Sequence, residues 1–243
     1  MLIVNKNQEQ DCATAALQIF STVQGEGIDS GVPAIFVRFQ GCSVHCFFCD
    51  EKETWVKREN NSGEVNEEEI FAEIQNLNKK VKRVVLTGGE PTEQSLKRLV
   101  NLLIANGYVV SIETAGTGEY LAELFQDYPA VTDKHATGFK RVFNFTFSPK
   151  EIYSRSKIAD ERIWQYCDEL KFVIANSEAK EYLLDKVLPK LKASDNNCPV
   201  YLTPDWFNFE VTKEMILKIL AEYVSEYPQL RLGVQANKYL DMP

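Results

Sequence analysis

Residues 32–50 read VPAIFVRFQGCSVHCFFCD. The first eight form an apolar run broken only by Arg38, and the rest is a loop carrying Cys42, Cys46 and Cys49. A short apolar run of this kind reads as a buried β-strand. Three thiols therefore stand where a strand ends. Outward from this stretch, further apolar runs lie at 82–87, 108–113, 142–147, 168–174, 199–203 and 230–235. Amphipathic stretches separate them. Helices are expected at 66–79, where Asn66 and Glu69 make a capping-box start, and at 93–106, which Gly107 closes. Others are expected near 118–127, 156–166, 178–192 and 212–226. Strands alternating with helices predict an α/β fold with a mostly parallel sheet buried on both faces. This pattern leaves a doubly wound sheet and a full or partial βα barrel both open. No G-x-G-x-x-G follows the first strand, which weakens the dinucleotide-binding version. In either architecture the chemistry belongs on loops at the C-terminal strand ends.

The chain has 243 residues, 27 Lys+Arg and 35 Asp+Glu, for a formal net charge of −8. So acidic a chain has no overall attraction to nucleic acid or an anionic membrane. No apolar run approaches the roughly 18–20 residues of a membrane span. The start, MLIVNKNQEQD, has no signal-peptide pattern, and a cytoplasmic location is expected. There thiols stay reduced, so six cysteines point to metal or redox chemistry. Cys12, Cys167 and Cys198 are scattered and read as isolated core thiols. No linker is visible, so 1–243 reads as one domain, with its core at about 18–243 and an irregular insertion at 129–141.

The C-x3-C-x2-C loop can bring three thiolates to one soft metal centre. A cubane iron–sulfur cluster normally takes four Cys ligands. Three leave one iron open, as catalysis at a metal requires. The alternative is zinc, with His45 completing a closed Cys3His site. A second motif, VVLTGGEP at 84–91, ends a strand in Gly88-Gly89-Glu90-Pro91. Two glycines permit close backbone approach to a ligand, and the carboxylate can accept from an ammonium.

This pair of motifs resembles the radical S-adenosylmethionine superfamily. The resemblance implies a [4Fe-4S] cluster on Cys42, Cys46 and Cys49. Its open iron chelates S-adenosylmethionine, which one-electron reduction cleaves to a 5′-deoxyadenosyl radical. Phe48 would pack near the adenine, and Gly88-Gly89-Glu90 would hold the methionine amino group. Further stretches narrow the likeness: FSTVQGEG at 20–27, GVPA at 31–34, ETAGT at 113–117, SPK at 148–150, ELKFV at 169–173 and VQANK at 234–238. In this order they resemble the 7-carboxy-7-deazaguanine synthase family, from about residue 18 to the end. That likeness implies an incomplete βα barrel of the radical S-adenosylmethionine type, a homodimer, and ring contraction of 6-carboxy-5,6,7,8-tetrahydropterin to 7-carboxy-7-deazaguanine with loss of ammonia, for queuosine and related 7-deazapurines. Magnesium and a reductant such as flavodoxin or ferredoxin are implied partners.

By the same resemblance, Phe48, Cys49, Asp50, Gly88, Gly89, Glu90, Ser148, Pro149, Lys150, Thr203, Pro204 and Asp205 surround S-adenosylmethionine. Val23, Gln24, Gly25, Arg38, Thr87, Glu113 and the terminal Pro243 surround the substrate. The residue chemistry suits that substrate. Arg38 can grip a carboxylate bidentately, Glu113 can accept from the pterin's N–H edge, and Gln24 can read a mixed donor–acceptor edge. Two departures stand out. The family usually has Asp-Thr after the third cysteine, with the hydroxyl helping to hold magnesium, whereas here the pair is Asp50-Glu51. A carboxylate is a stronger magnesium ligand, so Glu51 is the candidate. Asn237 stands where His is expected, which removes an imidazole from that position. The competing functions are a glycyl-radical activase and a non-catalytic zinc module.

Overall fold

A computed structural model describes residues 16–55, 65–128, 142–153 and 158–242. The expected insertion at 129–141, Cys12 and Pro243 lie outside the described residues. Eight strands form one sheet in chain order: β1 (Ala16–Val23), β2 (Pro33–Phe39), β3 (Arg83–Gly88), β4 (Val109–Thr114), β5 (Phe143–Phe147), β6 (Glu169–Ile174), β7 (Val200–Pro204) and β8 (Leu230–Leu232). β1 runs antiparallel to β2, and every later pair is parallel. A doubly wound sheet reverses its strand order at a switch point. Here the order never reverses, so the choice left open above falls to the barrel. Among the described residues β8 does not pair with β1, and the barrel is incomplete. The segments following these two edge strands nevertheless meet. Ala236 N–H donates to the Gly25 carbonyl at 3.0 Å, and Gln235 Nε2 donates to Glu26 Oε1 at 2.8 Å.

Side chains alternate across a strand, and this alternation separates core from site. Ile35, Val37, Phe39, Val84, Leu86, Ile112, Phe145, Phe147, Leu170, Phe172 and Leu202 form the buried core with the helices. The helices α1 (Glu67–Leu77) and α2 (Lys97–Ala105) supply Ile70, Ile74, Leu99 and Leu103 to it. The expected capping box is present, with Asn66 accepting from Glu69 N–H and Glu69 accepting from Asn66 N–H. The other sheet face carries Arg38, Thr87, Glu113, Thr146, Glu169, Lys171 and Thr203, all but Glu169 on the wall of one cavity. One sheet face is therefore apolar, while the other is polar around the cavity and apolar at Phe20, Ala34, Phe36 and Val85; the expected burial extends to Thr146, Glu169, Lys171 and Thr203 on this second face.

Three expectations need correction. The run AIFVRF is the second strand. β1, ALQIFSTV, precedes it and was missed because an antiparallel edge strand alternates polar and apolar residues. The helix expected at 156–166 is helical only over Ile163–Tyr166 within the described residues. Cys167 and Cys198 are core thiols, as expected, but they are not isolated from each other, their buried sulfurs lying 3.7 Å apart. Among the described residues, no helix is long and apolar enough to cross a membrane.

Candidate active site

The polar face of the curled sheet encloses a cavity of about 290 Å³. Among the described residues, every one expected at the site lines it except Pro149. The strand register explains this convergence. Arg38 pairs with Thr87, Glu113 with Thr146, and Thr146 with Glu169. Thr87 Oγ1 donates to Glu113 Oε2 at 3.1 Å, which completes one row across β2 to β6.

The cysteine loop is bolted to the glycine turn. Gly89 N–H donates to the Phe39 carbonyl at 2.9 Å and Glu90 N–H to that of Gly41 at 2.8 Å. The far end of the loop returns to the same root, with Gly41 N–H donating to the Thr54 carbonyl at 2.7 Å. Ser43 N–H and Oγ both donate to Glu93. Gly88 and Gly89 are needed because the chain itself comes close. A Cβ on Gly88, whose φ is +115°, would lie 2.4 Å from Phe39 N and O, and one on Gly89 would lie 2.1 Å from the Gly41 oxygen. The sequence reading assigned that closeness to a ligand.

Three soft sulfurs on one loop fit a cluster with an open corner. Cys42, Cys46 and Cys49 are free thiols on the cavity wall. Burial pushes the Cys42 thiol up to about 11 and also raises Cys46. Thiolates here therefore need a metal's charge. His45 does not join them, because it is exposed, stacks on Trp55 at 4.8 Å, and does not line the cavity. The Cys3His zinc arrangement is not what this loop builds.

Glu90 is buried, and burial pushes its carboxyl upward despite its donors. It accepts from Thr92 N–H at 3.1 Å, Ala115 N–H at 2.7 Å, and the hydroxyls of Thr92 and Thr114. Its side chain thus ties the turn after β3 to the end of β4. Ser148 and Lys150 line the wall, with Lys150 Nζ 2.8 Å from Ser148 Oγ and 5.1 Å from the centre of the Phe48 ring. Phe48 packs edge-on against Tyr153 at 4.5 Å. Asp205 accepts from Phe207 N–H at 3.2 Å, capping the turn after β7.

Glu113 accepts from Gln24 Nε2 at 3.0 Å and from Lys171 Nζ at 2.9 Å. Burial would raise its carboxyl, but Lys171 and these hydrogen bonds hold it below the ordinary range. Burial would lower Lys171, yet Glu113, Glu26 and Glu169 together push it up. Arg38 Nη1 lies 3.0 Å from Gln18 Oε1 and 2.9 Å from Glu51 Oε1, with its guanidinium over Phe20 at 5.1 Å. Asp50 pairs with Lys238 at 2.6 Å.

With this geometry in view, comparison with known proteins decides the family. The Radical SAM superfamily model matches residues 36–143. A 7-carboxy-7-deazaguanine synthase of Aquifex aeolicus is 30% identical over 245 residues, covering 99% of this chain and 100% of the relative. The chain belongs to the 7-carboxy-7-deazaguanine synthase family. A member from Flavobacterium psychrophilum is 29% identical over 93% of this chain and 91% of its own length. The crystal structure of QueE from Escherichia coli superposes with a TM-score of 0.67 at 27% identity, covering 92% of this chain and 94% of that one. Membership implies a [4Fe-4S] cluster, S-adenosylmethionine and a reductant.

The sequence reading missed several wall residues, chiefly Lys171, Glu26, Trp55, Thr146 and Lys238. Lys171 had a usable signal. It is a lysine in a largely apolar strand, as Arg38 is an arginine in one.

Proposed function

We propose that this chain is a 7-carboxy-7-deazaguanine synthase, converting 6-carboxy-5,6,7,8-tetrahydropterin to 7-carboxy-7-deazaguanine with release of ammonia. One observation carries the reading. In a member of this family, a single cavity joins the three-thiol loop, the glycine turn, and a second wall of Arg38, Gln24, Thr87 and Glu113. When bound, the cluster and S-adenosylmethionine supply the radical that the ring contraction needs.

The chain's own residues bind and orient. Cys42, Cys46 and Cys49 hold the cluster. Phe48, Asp50, the backbone of Gly88, Gly89 and Glu90, Ser148, Lys150 and the 203–205 stretch bound the S-adenosylmethionine side, with Pro149 between Ser148 and Lys150 but off the wall. Arg38 takes the substrate carboxylate. Gln24 and Glu113 face the pterin's donor edge, with Glu113 kept ionised by Lys171, and Val23 and Gly25 complete that wall. Asp50 and Glu51 offer hard oxygens for magnesium. A homodimer in the cytoplasm, reduced by flavodoxin or ferredoxin, completes the proposal.

The test is anaerobic incubation of reconstituted protein with the carboxypterin, S-adenosylmethionine, reductant and magnesium, followed by mass detection of the deazaguanine acid. Product should form, and Cys46→Ala should abolish both product and S-adenosylmethionine cleavage. An intact cluster that cleaves S-adenosylmethionine yet yields no deazaguanine acid would reject the substrate.

A further inference from the structure

Four cations stand on the cavity wall: Arg38, Lys150, Lys171 and Lys238. Arg38 alone offers the planar fork that matches a carboxylate. Its position is fixed from the β1 side, by Gln18 Oε1 at 3.0 Å and the Phe20 ring at 5.1 Å. Its cavity-side partner is different in kind. Glu51 reaches Arg38 Nη1 at 2.9 Å from the loop after the cysteines. The Glu51 backbone is pinned, since its carbonyl accepts from Thr54 N–H at 2.9 Å and Thr54 Oγ1 at 2.7 Å. Its side chain is 38% exposed against 19% for Arg38. Rotation about the side-chain bonds alone can therefore carry the carboxylate off Arg38 and toward solvent without moving the loop.

We propose that Glu51 is an internal occupant of the Arg38 anion subsite, a tethered carboxylate that must leave before a ligand's carboxylate enters. This rests on the function proposed above. A site whose competent form is only partly populated binds its ligand more weakly by that fraction. For a half-exposed ion pair the penalty is about fivefold. It applies to ligands that bring a carboxylate and not to those that lack one. Glu51 then acts as a positioning residue that tunes selectivity, quite apart from any contact with a metal.

Equilibrium binding to the anaerobically reconstituted full chain, in magnesium-free buffer, tests this. The probes are 6-carboxypterin, which is stable and unreactive, and pterin without the carboxylate. Glu51→Gln should tighten 6-carboxypterin about fivefold and leave pterin unchanged. In an Arg38→Gln background the same change should have no effect, because nothing remains to compete for. Glu53→Gln, an exposed neighbour off the cavity wall, controls for bulk charge and should leave both ligands unchanged. Glu51→Ala repeats the experiment should the first variant fold poorly, with cluster absorbance and thermal melting as folding controls.

Unchanged or weaker 6-carboxypterin binding in the Glu51 variants, with Arg38→Gln still weakening it, overturns the inference and leaves the proposed function standing. A gain that survives loss of Arg38, or that Glu53→Gln reproduces, also overturns it, because the cause is then general charge. Absence of 6-carboxypterin binding in every variant and in the parent rejects both this inference and the substrate it rests on.

Discussion

Lys171 is the residue on which the electrostatics of the cavity turns. Its side chain is 9% exposed and stands 2.9 Å from Glu113 and 3.4 Å from Glu26. Glu169, two residues before it, accepts from Thr146 Oγ1 at 2.7 Å and Ile28 N–H at 2.7 Å. Removing a buried cation from such a set leaves uncompensated charge, at a cost of about 3–5 kcal/mol. The pH dependence has a definite sign. In the parent, Glu113 sits below its ordinary value, so it contributes stability above the ordinary carboxyl range and loses it as pH falls. In Lys171→Met burial, the largest influence, is opposed only by the hydrogen bonds from Gln24 and Thr87, and the Glu113 carboxyl moves up. The unfolded variant then binds fewer protons than the folded one, and stability falls as pH rises. The gap in Tm between parent and Lys171→Met is thus expected to be wider at about pH 8 than at about pH 5.5. A gap that is constant or narrows with pH would show that Lys171 does not set the ionisation of Glu113.

At the scale of elements, the decisive contact is between the cysteine loop and the turn after β3. Gly89→Ala puts a Cβ 2.1 Å from the Gly41 oxygen and 2.7 Å from its carbon, and both belong to backbone. Neither can swing aside, so the loop root must move, at about 3 kcal/mol. Gly107 is the control. Its φ is +76°, yet a Cβ there meets nothing within 4 Å, so Gly107→Ala costs only about 1–2 kcal/mol of backbone strain. Gly89→Ala should therefore lose bound iron and sulfide after reconstitution, whereas Gly107→Ala should lose stability alone. Equal iron content in the two would mean that the turn does not position the thiols.

The same elements show what the sequence could disclose. β2 to β8 were legible because each falls in a short apolar run bounded by polar breaks, and their register follows once they pair in order. β1 was not, since its inner face carries Gln18 and its outer face Ile19. The cysteine loop and glycine turn announced their chemistry through spacing. Their mutual bolting was hidden, because hydrogen bonds from Gly89 to Phe39 and from Glu90 to Gly41 cross about fifty residues of chain and leave no local pattern. For the same reason the sequence exposed Arg38 and Glu51 as separate candidates but not as partners.

The whole molecule depends on how an open sheet is closed. Among the described residues β1 and β8 are edge strands, and unpaired edges invite other pairings. This fold covers the gap with segments instead of strands: residues 24–26 after β1 and 235–238 after β8. They meet through the Ala236 N–H to Gly25 bond and the Gln235 to Glu26 bond. A Cβ on Gly25 would lie 2.7 Å from Asn237 Oδ1, so the two segments are in direct contact. The closing segments also carry site residues, with Gln24 and Glu26 reaching Glu113 and Lys171, and Lys238 reaching Asp50. Closure and binding should therefore be coupled. Ala236→Pro isolates the coupling. Ala236 is the first residue of the short helix Ala236–Tyr239, where proline is tolerated, so the change deletes the seam's N–H donor and little else. Loss of one such bond is expected to cost about 1 kcal/mol, or about 2–4 °C in Tm. Iron content should not change, because the cysteine loop is anchored elsewhere. Binding of 6-carboxypterin should weaken, because Gln24 is two residues from the lost bond's Glu26 neighbour and one from Gly25 itself. If binding held at the parent value while Tm fell, the seam would be a structural closure independent of the site. If both fell together, the open edge of the barrel would be part of the binding machinery, and substrate would in turn protect the seam against unfolding by the reciprocity that linkage requires.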